Sequence, residues 1–247
     1  MEPANGTSNG TRDKEADEVN LRALPATPDL VERCYEALLE AICSAQMPAD
    51  RKYTQEQLAS WLGVSRQPVL QALQILRRQG LIVDEDNRRG IRVAPLNATF
   101  IQNLYQVRGV LDSLAARAAA SRPRPELKEP GAALIRAGRA AAARRDLGAL
   151  VRADLDFHDF IYRASHNPLL AQTVAVHWHH TRRLMAVHLR QTMSFRSIWA
   201  EHQAMLNDIV RGDARTAERL SREHAENACQ MMLRLLFRQD EDLGQTA

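Results

Sequence analysis

The sequence is poor in aromatic residues and lacks any long apolar run. Aromatic residues make up 5% of the 247 residues, whereas alanine, leucine and arginine are abundant, a composition that favours helices. No apolar stretch approaches the ~20 residues that cross a bilayer, so we expect no membrane partner. The N-terminus lacks the apolar core of a signal peptide, and we therefore expect a cytoplasmic protein.

The sequence also has few cysteines and little excess charge. Cys34, Cys43 and Cys229 are too scattered for a zinc ribbon or a disulfide framework, and they fall within apolar stripes typical of buried side chains. The net charge of +3 gives only weak support for nucleic-acid binding. Any affinity for DNA must therefore come from the local placement of basic residues.

Apolar spacing and helix breakers divide the chain into four predicted parts. Residues 1–26 are rich in Gly, Asn, Thr, Asp and Glu without an apolar period, which is typical of a disordered arm. Residues 27–96 combine helical spacing with two short β-branched runs, and residues 97–238 are helical throughout. Residues 239–247 are similar to the arm, and we expect a disordered tail.

The first folded part carries the signals of a helix, a turn, a helix and a β-hairpin in that order, which predicts a winged helix-turn-helix. Thr54, with Gln57 three residues on, predicts a capping box at the start of the second helix. Gly63 permits the tight turn, and Ser65 is the predicted N-cap of the third helix. The predicted elements are a first helix that ends after Ile42, helices 55–62 and 66–79, and strands 81–83 and 91–93.

The start of the third helix is the predicted DNA-reading end. Its backbone N–H groups favour phosphate, and long polar side chains there can reach base edges. Two arginines at the tip of the hairpin are placed to follow the phosphate backbone or to enter the minor groove. The predicted DNA-contacting residues are Thr54, Gln55, Ser65, Arg66, Gln67, Arg88 and Arg89. The alternative is a winged helix that contacts protein instead of DNA.

The remainder of the chain predicts an antiparallel bundle of about six helices. Breaks fall at a cluster of prolines, at Asn167-Pro168 and at Gly212-Asp213. The predicted helices lie near 98–121, 126–144, 147–165, 168–191, 195–211 and 213–238. The fold class is therefore mainly α, with a winged helix-turn-helix followed by an all-α bundle.

Four polar residues lie on apolar stripes of three predicted bundle helices. Asp154 and His158 are four residues apart and share one helix face, while His202 and His224 lie on the stripes of two further helices. Buried polar groups without a partner are costly, and a metal supplies a common one. One carboxylate and three imidazoles suit a single divalent ion such as Zn²⁺, Ni²⁺, Co²⁺ or Mn²⁺.

The first folded part reads LASWLGVSRQPVLQALQILRRQGLI, and its wing ends in RRGIRVAPL. These segments resemble the GntR family of bacterial transcriptional regulators over residues 30–96. The family pattern usually carries Arg and then Glu where this chain has Leu70 and Gln71, and often Arg where it has Glu56. The resemblance therefore implies the fold and DNA binding, but not the usual operator sequence.

The bundle contains DLDFHDFIYRASHNPLL and EHQAMLNDIVRGDARTAERLSREH. These segments resemble the FCD effector domain of the FadR-type subfamily. The resemblance implies metal ligands at Asp154, His158, His202 and His224. It also implies that Arg108 meets the carboxylate of a small effector, with Arg152 as a second candidate. The alternative for Arg108 is a salt bridge with Asp112 at i+4.

Together these features predict a ligand-responsive DNA-binding regulator, not an enzyme. We expect a homodimer on an inverted repeat of double-stranded operator DNA, with affinity altered by a small carboxylate at the metal site. One alternative is a helical metalloenzyme with a His₃Asp site, although no general base or nucleophile accompanies the four ligands. Another is a regulator that senses the metal itself.

Overall fold

A computed structural model describes residues 30–85, 90–188 and 196–244 of the chain. Within those residues, helices α1 to α3 and a two-stranded hairpin form an N-terminal unit, and helices α4 to α9 form a C-terminal bundle. The predicted arm, residues 1–26, and the wing arginines Arg88 and Arg89 lie outside the described residues. The elements are α1 (Leu30–Cys43), α2 (Gln55–Leu62), α3 (Arg66–Arg78), β1 (Ile82–Asp84), β2 (Ile91–Val93), α4 (Ala98–Ala119), α5 (Lys128–Arg144), α6 (Leu147–Ala164), α7 (Pro168–His188), α8 (Arg196–Arg211) and α9 (Ala214–Gly244).

The N-terminal unit has the predicted winged helix-turn-helix order. The capping box at Thr54 is formed: its hydroxyl accepts from the Gln57 amide at 3.2 Å, and the Gln57 side chain accepts from the Thr54 amide at 2.9 Å. Gly63 ends α2 at φ +66°, a left-handed conformation that glycine adopts without steric cost. Strands β1 and β2 are antiparallel, with Ile82 opposite Val93.

The bundle buries a continuous apolar core, in which α4 lies along α9 and α5 packs against α6 and α8. Trp199 on α8 fills the space beside Gly138 on α5. A Cβ at position 138 would lie 1.9 Å from the Trp199 ring, so only glycine permits this approach. The Trp199 ring in turn packs edge-on against His202, with centroids 4.8 Å apart. This packing fixes one of the predicted site residues in the core.

Helix α7 joins the two units. On the side towards the N-terminal unit, His180 Nε2 lies 2.9 Å from the Gln79 carbonyl oxygen. Arg183 donates to the carbonyl of Ala94, and Arg182 pairs with Glu40 on α1. These contacts attach the end of α3, the end of the hairpin and α1 to a single bundle helix.

Three predicted boundaries need correction. Strand β1 begins one residue later than expected, because the Leu81 amide still donates to Leu76 and closes α3. A 3-10 turn, Pro125–Leu127, precedes α5. Helix α9 continues to Gly244, into the predicted disordered tail, since extending a formed helix costs far less than starting one. None of the described helices is long and apolar enough to cross a bilayer.

Candidate metal centre and DNA-contacting surface

Three bundle helices bring the four predicted metal ligands into the core. Asp154 and His158 lie one turn apart on α6, His202 lies on α8 and His224 on α9. All four are buried, and the His202 ring stacks on Phe157 at 4.3 Å between centroids. The rotamers of these side chains are therefore restricted by packing.

The imidazoles converge on one point. One ring nitrogen from each of His158, His202 and His224 lies within 4.8 Å of the other two. His202 Nε2 is 3.3 Å from His224 Nε2 and 3.6 Å from the Asp154 carboxylate. His158 Nε2 is buried without a hydrogen-bond partner. A buried, unpaired nitrogen beside two other imidazoles is costly unless a cation takes the lone pairs, so these residues fit a divalent metal.

Burial also sets the protonation of the cluster. Loss of solvent lowers the pKa of His158 and of His202 well below the usual range, and the neighbouring Arg108 lowers both further. Both rings are therefore neutral, which is the form that binds metal. Burial raises the pKa of Asp154, and the adjacent His224 and Arg108 oppose that rise.

Glu201 is a site residue that the sequence did not reveal. Its Oε2 lies 2.6 Å from His224 Nδ1, and its Oε1 accepts from Asn227 at 3.2 Å. A carboxylate on Nδ1 holds the imidazole so that Nε2 faces the cluster, the arrangement common behind metal-binding histidines. Glu201 and His224 belong to different helices, so no sequence spacing pointed to this pair.

Arg108 lies beside the cluster, fully inside the bundle. Its guanidinium donates to Asp112 at 3.2 Å and to the Thr181 hydroxyl at 3.4 Å, and it lies 4.4 Å from the centroid of the Trp178 ring. The Tyr162 hydroxyl donates to the second oxygen of Asp112 at 2.6 Å. The salt-bridge alternative for Arg108 is thus formed, but Arg108 Nε has no hydrogen-bond partner.

A cavity of about 270 Å³ opens on this cluster. Arg108, Asp154 and His224 all line it, together with Arg234 further along α9. A molecule inside it can therefore meet the guanidinium and two of the four predicted ligands at the same time. This arrangement is compatible with binding of a small anion.

Arg152, the second predicted effector contact, lies elsewhere. It lines a separate cavity of about 600 Å³ with Glu40 and Arg182, between α1 and the bundle. The reason is helical geometry: Arg152 precedes Asp154 by two residues, and residues at that spacing point away from one another. The structure therefore does not bring Arg152 and Arg108 into one site.

The start of α3 is exposed as expected. The Arg66 side chain is 67% exposed and forms an ion pair with Glu56, and its carbonyl accepts from Gln55 at 2.9 Å. Ser65 precedes the helix without a side-chain capping bond, so its hydroxyl is not used there. Thr54 holds the capping box of α2, which gives it a structural role. An ion pair this exposed contributes little to stability.

Comparisons with known proteins agree with this two-part organisation. Residues 103–227 match the family model described as the FCD domain, and residues 32–98 match that of a Crp-like helix-turn-helix domain. The HTH-type transcriptional regulator YdhC of Bacillus subtilis is 22% identical over 208 residues, which cover 82% of this chain and 90% of the relative.

Two solved structures share the fold. The E. coli structure described as McbR/YncC has a TM-score of 0.71 at 15% identity. The match covers 83% of this chain and 97% of the chain in that structure. A putative transcriptional regulator GntR from Rhodococcus sp. RHA1 has a TM-score of 0.68 at 22% identity, covering 82% and 97% respectively. The predicted combination of a helix-turn-helix domain with an FCD domain is confirmed.

Proposed function

Because this chain belongs to the FCD-domain family and carries a helix-turn-helix domain, we propose that it is a dimeric regulator whose operator affinity changes when a small organic acid binds at a metal site. The observation that carries the proposal is the convergence of three buried imidazoles beside a cavity that is lined by Arg108, Asp154 and His224. A guanidinium binds a carboxylate in bidentate fashion, which suits an acid effector.

We assign Asp154, His158, His202 and His224 as the ligands of one divalent ion. Three nitrogens and one carboxylate oxygen suit Zn²⁺, Ni²⁺, Co²⁺ or Mn²⁺. When bound, the ion supplies a positive centre beside the cavity. Arg108 then orients the acid, while the surrounding helices exclude water and strengthen both electrostatic contacts.

Helix α7 is the proposed route from this site to the DNA-binding unit. Trp178 and Thr181 contact Arg108, while His180 and Arg183 contact the N-terminal unit. A ligand that moves Arg108 therefore acts on a helix that also holds the other unit. The short link through Pro95 into α4, which carries Arg108, is a second route. A continuous set of contacts makes coupling possible, and only a measured change in affinity demonstrates it.

The proposed dimer interface includes an exposed apolar stripe on α4. Val107, Val110 and Leu114 are 43%, 56% and 47% exposed, and their spacing places them on one helix face. A second copy of the chain covers such a stripe symmetrically. Two helix-turn-helix units in one dimer read two half-sites, so we propose an inverted repeat with Ser65, Arg66 and Gln67 at the bases or phosphates.

Catalysis is the less favoured function. The carboxylates beside the cluster are already engaged: Glu201 with His224 and Asn227, Asp112 with Arg108 and Tyr162. Among the described residues of the site, we therefore find no carboxylate free to act as a general base.

Titration of operator binding with candidate acids tests the proposal. The wild type, Arg108→Ala and a metal-stripped sample are compared, with Arg117→Ala as the control because Arg117 lies on the same helix in an exposed pair with Glu218. An active acid should change the operator affinity of the wild type and the control by about 5–150-fold.

Arg108→Ala and the stripped sample should lose that response while keeping the helical circular dichroism of the wild type. An acid that releases DNA equally from all samples contradicts the proposed site. Release by metal alone would establish a metal sensor, and turnover of an acid would establish an enzyme.

A further inference from the structure

The cavity above the metal cluster is polar at one end and apolar along its walls. Four helices each place a polar residue at the cluster end and an apolar residue one turn away. These pairs are Arg108 and Tyr105 on α4, Thr181 and Met185 on α7, Glu201 and Ile198 on α8, and His224 and Ala228 on α9. Ser197, Asn227 and Arg234, which are exposed, line the same cavity. Apart from these exposed residues, the cavity has a polar end at the cluster and apolar or aromatic residues one turn away, which suits an amphipathic molecule.

The apolar wall continues along α9. Met231 and Met232 also line the cavity, seven and eight residues beyond His224. At a rise of 1.5 Å per residue, the wall extends roughly 10 Å from the cluster. Methionine side chains adapt to the shape of a bound apolar group, which suits a ligand-binding wall better than a rigid one.

We propose that the effector is a carboxylate with a short apolar body, an aliphatic chain or a single ring, rather than a small polyhydroxy acid. This inference rests on the proposed function. The carboxylate lies at Arg108 and the metal cluster, and the hydrocarbon lies between Tyr105, Ile198 and Met231. A polyhydroxy acid of the same size would place hydroxyls against Ile198 and Met231, whose side chains are apolar.

The volume of the cavity limits the size of the apolar body. At about 270 Å³ it lies just below the ~300–1,000 Å³ of sites that hold drug-sized ligands. A long acyl chain does not fit. Arg234 on α9 also lines the cavity but is exposed, so solvent screens its charge and it should add little for a second carboxylate; a dicarboxylate in the test checks this.

Calorimetric titration of the metal-loaded full chain with five acids tests the inference. The acids are acetate, hexanoate, phenylacetate, glycerate and succinate. Each buried methylene strengthens binding by up to about fourfold, so hexanoate should bind at least ~10-fold more tightly than acetate. Phenylacetate should likewise bind more tightly than glycerate and succinate.

Variants of the wall give the second readout. Met231→Gln keeps the length of the side chain and should weaken hexanoate at least ~5-fold while leaving acetate unchanged. Ile198→Thr on α8 should do the same and serves if the first variant fails to fold. Gln230→Ala is the control, since Gln230 is next in sequence but lines a different groove.

The outcomes separate this inference from the proposed function. Tightest binding by glycerate or succinate, or equal losses for acetate and hexanoate in both wall variants, overturns the apolar-acid inference alone. Acids that bind without changing operator affinity overturn the proposed function. If no acid binds, both are overturned.

Discussion

Replacing Glu201 by glutamine tests the metal site through a residue that touches no metal. In the wild type, His224 Nδ1 donates to a carboxylate oxygen 2.6 Å away, which leaves Nε2 free to face the cluster. Glutamine preserves the size of the side chain but removes the charge. A neutral hydrogen bond is about half as strong as a charge-assisted one, so His224 becomes both a weaker base and a less firmly oriented ligand.

The expected loss of metal affinity follows from the burial of this pair. Removing the partner behind a metal-binding histidine typically lowers affinity ~10–100-fold. The Glu201 side chain is 32% exposed, and solvent screens part of its charge. We therefore expect the lower end of that range, about 10-fold or ~1.4 kcal/mol.

Competition with a zinc-chelating indicator at neutral pH measures the effect. The wild type should hold about one ion per chain, and His158→Ala and His202→Ala should each lose most of it. Glu218→Gln is the control, because Glu218 lies on α9 but pairs with Arg117. The assigned role of Glu201 would be refuted if the Glu201→Gln variant, folded and binding one ion per chain, bound the metal within twofold of the wild-type affinity.

Three further changes have defined outcomes. Arg66→Ala should weaken binding to a mapped operator by about 1–3 kcal/mol if Arg66 contacts a base, and unchanged affinity in a gel-shift titration rejects that contact. Val110→Asp places a charge on the exposed α4 stripe, so light scattering should show a monomer where the wild type is a dimer. Chelation should lower the melting temperature of the wild type and leave that of His202→Ala nearly unchanged, since only a bound ion stabilises the fold.

Local signals explain why most helix boundaries were predictable from the sequence. Gly63, Pro168 and Gly212 interrupt helices by their own backbone preferences, whatever their surroundings. The burial of the four candidate ligands together in the core was also predictable, because each lies on an apolar helical stripe and the stripes of a bundle meet in its core.

Long-range contacts explain what the sequence did not reveal. The Glu201–His224 pair and the contact of His180 with Gln79 depend on how whole helices are placed, which no local pattern encodes. Arg152 was the second candidate for the effector contact, whereas helical geometry directs it to another cavity. Helix α9 continues through residues 239–244 of the predicted tail because polar composition does not by itself end a helix.

The order of the ligands along the chain has a topological consequence. His158 and His202 enclose residues 159–201, and α7 lies within that segment. An ion held by both imidazoles closes this segment into a loop and acts on it as a cross-link, which reduces the conformations open to the chain inside. If the proposed site is occupied, such a cross-link would stabilise the folded arrangement of the segment whose helix α7 attaches the N-terminal unit.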